Sequence, residues 1–317
     1  SSALVKMVSG VAKDQSIDLV LAVGGGSVLD AGKAVSVMTR QQEDRVEEYL
    51  EGVGLGLIPN GQKLSCIAVP TTAGTGSEAT ENAVLRVVGE YKKSLRHTSL
   101  VPEIALIDPA LAVSCPPSVT SASGIDAFCQ LFESYVSSKA TVLTDHHSVL
   151  GIRKVASSLV KASTEESDRI EHREDLALAS YLSGICLRNA GIGLIHGIAG
   201  VLGGINEISH GIACASVMVN TTRANIAAIG KSSSVARTKF ADVGRIVSDG
   251  QGRSDDGALD ALIDNLQEWT AKLAVPKLGE FGIGEGDLGR IVRLSSHKNN
   301  PVRVSDEAIE EVLRLSS

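Results

Sequence analysis

Residues 18–37, DLVLAVGGGSVLDAGKAVSV, decide how this chain is read. The apolar run at 19–23 has no polar alternation, the mark of a strand covered on both faces. Gly24, Gly25 and Gly26 end it, and Val28, Ala31, Ala34 and Val35 then recur at helical spacing. The order is strand, tight turn, helix. The glycines leave the main chain open to a close-lying ligand. Ser27 is placed to cap the helix, whose free N–H groups and positive dipole end face the turn. A phosphate suits such a turn; a plain βα turn without a ligand fits the same letters.

Upstream, residues 3–13 form a short helix with Leu4, Val8 and Val11 on one face. Downstream, an acidic stretch at 41–51 leads through a glycine-rich loop to Gly61, and 64–69 is a second buried strand. It runs into PTTAGTGSEAT, residues 70–80, where Pro70 stops the strand and Thr71, Thr72, Thr75 and Ser77 offer hydroxyls beside Gly74 and Gly76. Two hydroxyl- and glycine-rich loops at the carboxyl ends of buried strands occupy the place where open α/β sheets hold ligands. A strand is expected at 83–88, Lys92 and Lys93 offer charge to a phosphate, and 104–107 is a third buried strand closed by Asp108 and Pro109.

At Pro116 and Pro117 the apolar period becomes helical and strand signals stop. Helices are expected at 121–136, 144–161, 171–188, 193–201, 211–226, 232–247, 256–273 and 306–315. The architecture is an α/β parallel-sheet domain, residues 1–114, followed by an all-helical domain, residues 115–317, with a cleft between them.

The 317 residues are 43% hydrophobic, enough for a packed core, and carry a net charge of -7. That balance speaks against nucleic acid or an acidic membrane surface as partner. The 5 cysteines are scattered without a CxxC pair and read as reduced, buried thiols of a cytoplasmic protein. The most apolar long run, 184–204, contains Arg188, Asn189 and His196 and is not read as membrane-spanning.

The helical half holds polar residues where apolar ones are expected. Asp126 and Gln130 share one helix face at i and i+4. His196 lies in GIGLIHGIAG, and His210 follows after LGGINEIS. In one continuous helix the two histidines would stand about 21 Å apart; Gly203 and Gly204 provide a turn that brings them together. One carboxylate and two imidazoles suit Zn(II) or Fe(II) with room for a substrate. Hydrogen-bonded core histidines are the plainer alternative. His146 and His147 face different ways on a helix, and His97, His172 and His297 lie in polar surroundings.

GGGSVLDAGK, PTTAGTGSE, PEIALIDP, SGIDAFCQLFESYVS, GIGLIHGIAGVLGG, SHGIA and NNPVRVSDEAIEEVL, in that order over nearly the whole chain, resemble the iron-containing (group III) alcohol dehydrogenases. The resemblance implies a dehydroquinate synthase-like fold, with NAD or NADP in the N-terminal domain and a divalent metal, Fe(II) or Zn(II), in the helical one. It implies pyrophosphate contacts from Gly25, Gly26 and Ser27, with Asp30 in the same motif. Thr71, Thr72, Thr75 and Lys93 would meet the cofactor's ribose, phosphate or base. Asp126, His196 and His210 fall on three of the four usual metal ligands.

Three departures from the family stand out. The usual fourth ligand, a histidine, is Gln130, although related glycerol dehydrogenases hold zinc with an Asp/His/His set. A histidine common near the nicotinamide is Gly200. The family's first strands precede the position where this chain starts, so an N-terminally incomplete view is expected. The implied activity is hydride transfer between a nicotinamide and a small primary alcohol or aldehyde, in a homodimer or higher homo-oligomer. The alternatives are a metal-independent reductase of the maleylacetate reductase type, against which Asp126 argues, and a non-catalytic relative acting in assembly or binding.

Overall fold

The computed structural model describes residues 1–317 apart from 88–90, 206–207 and 232–233. The N-terminal region runs α1 (Ser2–Asp14), β1 (Leu19–Gly24), α2 (Gly26–Met38), β2 (Ser65–Pro70), β3 (Asn82–Val87), β4 (Tyr91–Arg96) and β5 (Ile104–Ala105). β2 is the middle of a parallel sheet ordered β1-β2-β5, with Leu19 opposite Ser65 and Gly24 opposite Pro70. β3 and β4 form a separate antiparallel hairpin, Asn82 opposite Arg96. The sequence suggests only the first of these strands, and its expected end, Val88, lies outside the described residues.

Helix α2 covers one face of the sheet. Ala22, Leu29 and Ala68 are buried between them, and Gly32 lies so close to β1 that an added Cβ would stand 2.5 Å from the Ala22 Cβ. The far side of α2, through Ala34, Val37 and Met38, packs with Leu85 and Leu95 of the hairpin and Val5 of α1. The expectation that β1 is covered on both faces is corrected here: Leu19, Leu21 and Val23 are 44%, 61% and 50% exposed. Alternate side chains of a strand point to opposite faces, and these three point away from α2. α1 likewise turns its small residues Ser2, Ser9 and Ala12 inward with Val5, leaving the stripe of Leu4, Val8 and Val11 in solvent.

Beyond Pro116 the described residues are helical: α3 (Pro117–Val136), α4 (Val142–Ala162), α5 (Ile170–Ala190), α6 (Leu194–Ile205), α7 (His210–Ile229), α8 (Val235–Val247), α9 (Asp255–Lys272), α10 (Glu285–Leu294) and α11 (Asp306–Ser316). Each expected helix is present. The expected start of α8 at Ser232 lies outside the described residues. The short α10, unanticipated, carries Gly286 and Gly289, which weaken a helical signal. α3 is buried from Gly124 to its end. Phe128 meets Trp269 of α9 edge-on at 5.0 Å and Phe132 meets Phe240 of α8 at 5.1 Å. α5 and α6, the apolar run at 184–204, bend by 102° at the break between them. Among the described residues α7 is long and apolar enough to cross a membrane, and it is 56% buried inside the protein.

Candidate metal and cofactor site

Three helices bring distant residues to one point. On α3, Asp126 is 2% exposed and Gln130 stands one turn further on the same face. The Gln130 amide donates from Nε2 to Asp126 Oδ2 at 3.1 Å, and its Oε1 accepts from Ser183 Oγ of α5 at 2.7 Å. Both ends of the amide are used, so Gln130 orients Asp126. The other oxygen, Asp126 Oδ1, lies 3.3 Å from His196 Nε2, 3.7 Å from His210 Nε2 and 3.6 Å from Cys214 Sγ. The four ligand atoms of Asp126, His196, His210 and Cys214 all stand within 4.8 Å of one another.

His196 sits in the first turn of α6 and His210 is the first residue of α7. The chain reverses between them, though not where expected. Gly203 and Gly204 are helical, because α6 continues to Ile205; the connection includes residues 206–207, outside the described set.

Glu133, also buried, fixes the His196 ring. Its Oε2 accepts from His196 Nδ1 at 2.6 Å, while its Oε1 accepts from the Ile195 N–H at 2.6 Å, one of the free donors that open α6. With its proton at Nδ1, the ring turns the Nε2 lone pair toward Asp126. That Nε2 is buried and makes no well-directed hydrogen bond, an orphaned acceptor of the kind a cation satisfies. Burial works against charge on both rings, yet Asp126 and Glu133 push His196 up to about 9. Burial pushes His210 down to about 4, against the pull of Asp126 and with the help of His196, Lys92 and Lys298. Asp126, despite its burial, is held below the usual carboxylate range by the two histidines. Of the two rings, whose centroids are 5.3 Å apart, His196 is the one that carries a proton on Nε2 beside the ionised Asp126, and a divalent ion bound at Nε2 would take the place of that proton. The remaining five histidines are engaged elsewhere: His97 accepts from Ser99 N–H, His146 and His147 bond the Val142 and Leu143 carbonyls of their own helix, His172 pairs with Glu166, and His297 bonds Val304.

The two loops at the carboxyl ends of β1 and β2 interlock. Thr71 N–H donates to Gly24 O at 3.0 Å. A Cβ on Gly26 would stand 2.6 Å from Thr75 Cγ2, and one on Gly25 would stand 3.4 Å from Thr72. Helix α2 starts at Gly26 with the extended Gly25 at its N-cap and no side-chain cap. Ser27 is therefore an exposed residue of the first turn and does not cap the helix as expected. Asp30 accepts from Ser77 Oγ at 2.6 Å and from Val84 N–H at 2.9 Å, so both oxygens brace the second loop and the hairpin instead of facing a ligand. Lys93 is exposed on β4.

Sequence reasoning passed over the residues that hold this arrangement. Lys33, fully buried, donates to Ser77 O at 2.8 Å and Thr80 Oγ1 at 2.9 Å. Glu78 is buried near it, and burial pushes its carboxyl up to about 7. The loop is also seated on α5, where Gly74 N–H donates to Ser180 Oγ at 2.7 Å and Gly76, at φ +60, lies against the backbone of Gly184. Glu133 carried a signal, since 126, 130 and 133 fall on one helix face. So did Cys214, one turn after His210.

Residues 1–109 match the family model described as "Iron-containing alcohol dehydrogenase", and residues 120–316 match "Fe-containing alcohol dehydrogenase family, C-terminal". The chain is 35% identical over 284 residues to long-chain-alcohol dehydrogenase 1 of Geobacillus thermodenitrificans (strain NG80-2), covering 89% of this chain and 69% of that protein. The structure superposes on a crystal structure of 1,3-propanediol oxidoreductase with a TM-score of 0.89 at 27% identity, over 100% of this chain and 81% of that one. It also superposes on sulfoacetaldehyde reductase from Bifidobacterium kashiwanohense in complex with NAD+, with a TM-score of 0.86 at 26% identity, over 99% of this chain and 80% of that one. With both halves matched, in a parallel-sheet region followed by a helical domain, the chain belongs to the iron-containing alcohol dehydrogenase family.

Proposed function

We propose that the protein is a metal-dependent oxidoreductase that moves a hydride between NAD or NADP and a small primary alcohol or aldehyde. The observation that carries this reading is the convergence of the Asp126, His196 and His210 ligand atoms on one point. The donor set fits Zn(II) or Fe(II): a carboxylate, an imidazole whose buried Nε2 makes no well-directed hydrogen bond, and a second imidazole. A divalent ion bound there supplies Lewis acidity to the substrate oxygen.

The chain's own residues do the rest. Glu133 and Gln130 hold His196 and Asp126 in their orientations. Gly25, Gly26 and Ser27, at the start of α2, offer free N–H groups to the cofactor pyrophosphate. Thr71, Thr72 and Thr75 offer hydroxyls to its ribose and phosphate, and Lys93 its charge. Asp30 and Lys33 keep the two loops together. Gly200 offers no side chain to take up the alcohol proton, so water or a ribose hydroxyl of the bound cofactor would carry it. The NAD+ complex of the sulfoacetaldehyde reductase supports a nicotinamide as cofactor. A cytoplasmic homo-oligomer, in keeping with five free cysteines, is part of the same proposal.

The test is NADH and NADPH titration followed by a screen of alcohols and aldehydes, with chelator and then with added Zn(II) or Fe(II). Binding of at least one nicotinamide is expected, with turnover lost to chelation and restored by metal. Chelator-resistant turnover would move the protein to the metal-independent reductases. Binding of neither cofactor would remove the dehydrogenase reading.

A further inference from the structure

We propose that Cys214 is a fourth metal ligand, making the site Asp126, His196, His210 and Cys214. The proposal rests on the metal-dependent reading above. A tetrahedral ion with bonds of ~2.0–2.2 Å to oxygen and nitrogen and ~2.3 Å to sulfur holds its ligand atoms roughly 3.3–3.6 Å apart. The separations here are 3.3 Å for His196 Nε2 and 3.7 Å for His210 Nε2 from Asp126 Oδ1, and 3.6 Å and 3.9 Å for Cys214 Sγ from Asp126 Oδ1 and His210 Nε2. These four separations lie within a few tenths of an ångström of the tetrahedral edge lengths, and all the ligand atoms, sulfur included, stand within 4.8 Å of one another.

Among the described histidine, cysteine and carboxylate side chains, those that gather at this point are Asp126, His196, His210 and Cys214. Gln130, at the position where the family usually has a ligating histidine, is tied at both ends of its amide to Asp126 and Ser183. Cys214 lies one turn beyond His210 on the same face of α7 and is fully buried. A thiol placed only for packing faces apolar neighbours; this one faces a carboxylate and an imidazole. As the sulfur–metal bond forms, the thiol proton passes to solvent. Thiolate and carboxylate together then balance both charges of the ion. The soft sulfur biases the site toward Zn(II) or Co(II) and away from Mn(II).

The experiment strips the purified protein with chelator, titrates Co(II) and follows the absorption spectrum, with Zn(II) affinity measured by competition against a chromophoric chelator. Wild-type protein is expected to develop a near-ultraviolet sulfur-to-cobalt charge-transfer band that saturates at one ion per chain. Cys214→Ser and Cys214→Ala should lose the band, keep the visible cobalt bands and bind Zn(II) roughly 100-fold more weakly or worse, at or beyond the upper end of second-layer losses. Cys129→Ala should keep the band. Cobalt binding without the sulfur band in wild type overturns the assignment and leaves the three-residue set standing. Failure of both Co(II) and Zn(II) to bind overturns the metal-dependent reading itself.

Discussion

Glu133→Gln exchanges one oxygen for an NH2 group, and the structure says what that exchange does. The carboxylate accepts at both ends, from the Ile195 N–H at 2.6 Å and from His196 Nδ1–H at 2.6 Å. An amide accepts at one end and donates at the other. If its oxygen stays with Ile195, its NH2 faces Nδ1, the ring proton moves to Nε2, and the lone pair 3.3 Å from Asp126 Oδ1 is gone. If the amide turns over, the tautomer survives but two N–H groups oppose each other at the start of α6. Either way one charge-assisted bond in a buried site is lost, worth about 2 kcal/mol. The first orientation also weakens metal binding by roughly 10–100-fold, as loss of a carboxylate behind a ligating histidine does. Denaturant unfolding and Zn(II) competition measure the two effects, and NMR of isotope-labelled histidine reads the tautomer. A variant with wild-type stability and wild-type metal affinity would refute the argument.

The two cofactor loops separate packing from binding. Gly26→Val should destabilise by about 1–3 kcal/mol, because its side chain meets Thr75 whether or not a cofactor is present. Ser27→Ala, exposed and uncapping, should leave the melting curve within about 0.5 kcal/mol of wild type while weakening NAD(P)H binding; the reverse pattern would make Ser27 a structural residue. Glu78 sets a pH dependence. Burial raises its folded pKa to about 7 from 4.5, so its contribution is fully present below pH 4.5 and is lost as pH rises through 7. That loss amounts to about 3 kcal/mol. Glu78→Gln should flatten this part of the stability profile, and parallel melting profiles for the two proteins would count against it.

What could be read along the chain was what local chemistry dictates. An apolar run, glycines and a helical period make β1, the turn and α2 regardless of their surroundings, and the long 3.6-residue periods of α3 to α5 do the same for the helical domain. Asp126 and Gln130 share a face through helix geometry alone. The hairpin partner β4, YKKSLR, looks polar in isolation and is a strand because β3 lies beside it. The sequence shows the apolar stripe of α1 but not what lies opposite it, and α1 presents its small residues to its neighbours. Asp30 resembled a ligand contact until the hydroxyl of Ser77 and the N–H of Val84 took both its oxygens. The candidate metal site shows the same division most sharply. The sequence supplied a carboxylate, an amide and two histidines. Only the packing of α3, α6 and α7 set Glu133 behind His196, 63 residues apart, and Cys214 beside Asp126, 88 residues apart, because contacts at such separation are made by the whole core and are encoded in no single stretch of chain.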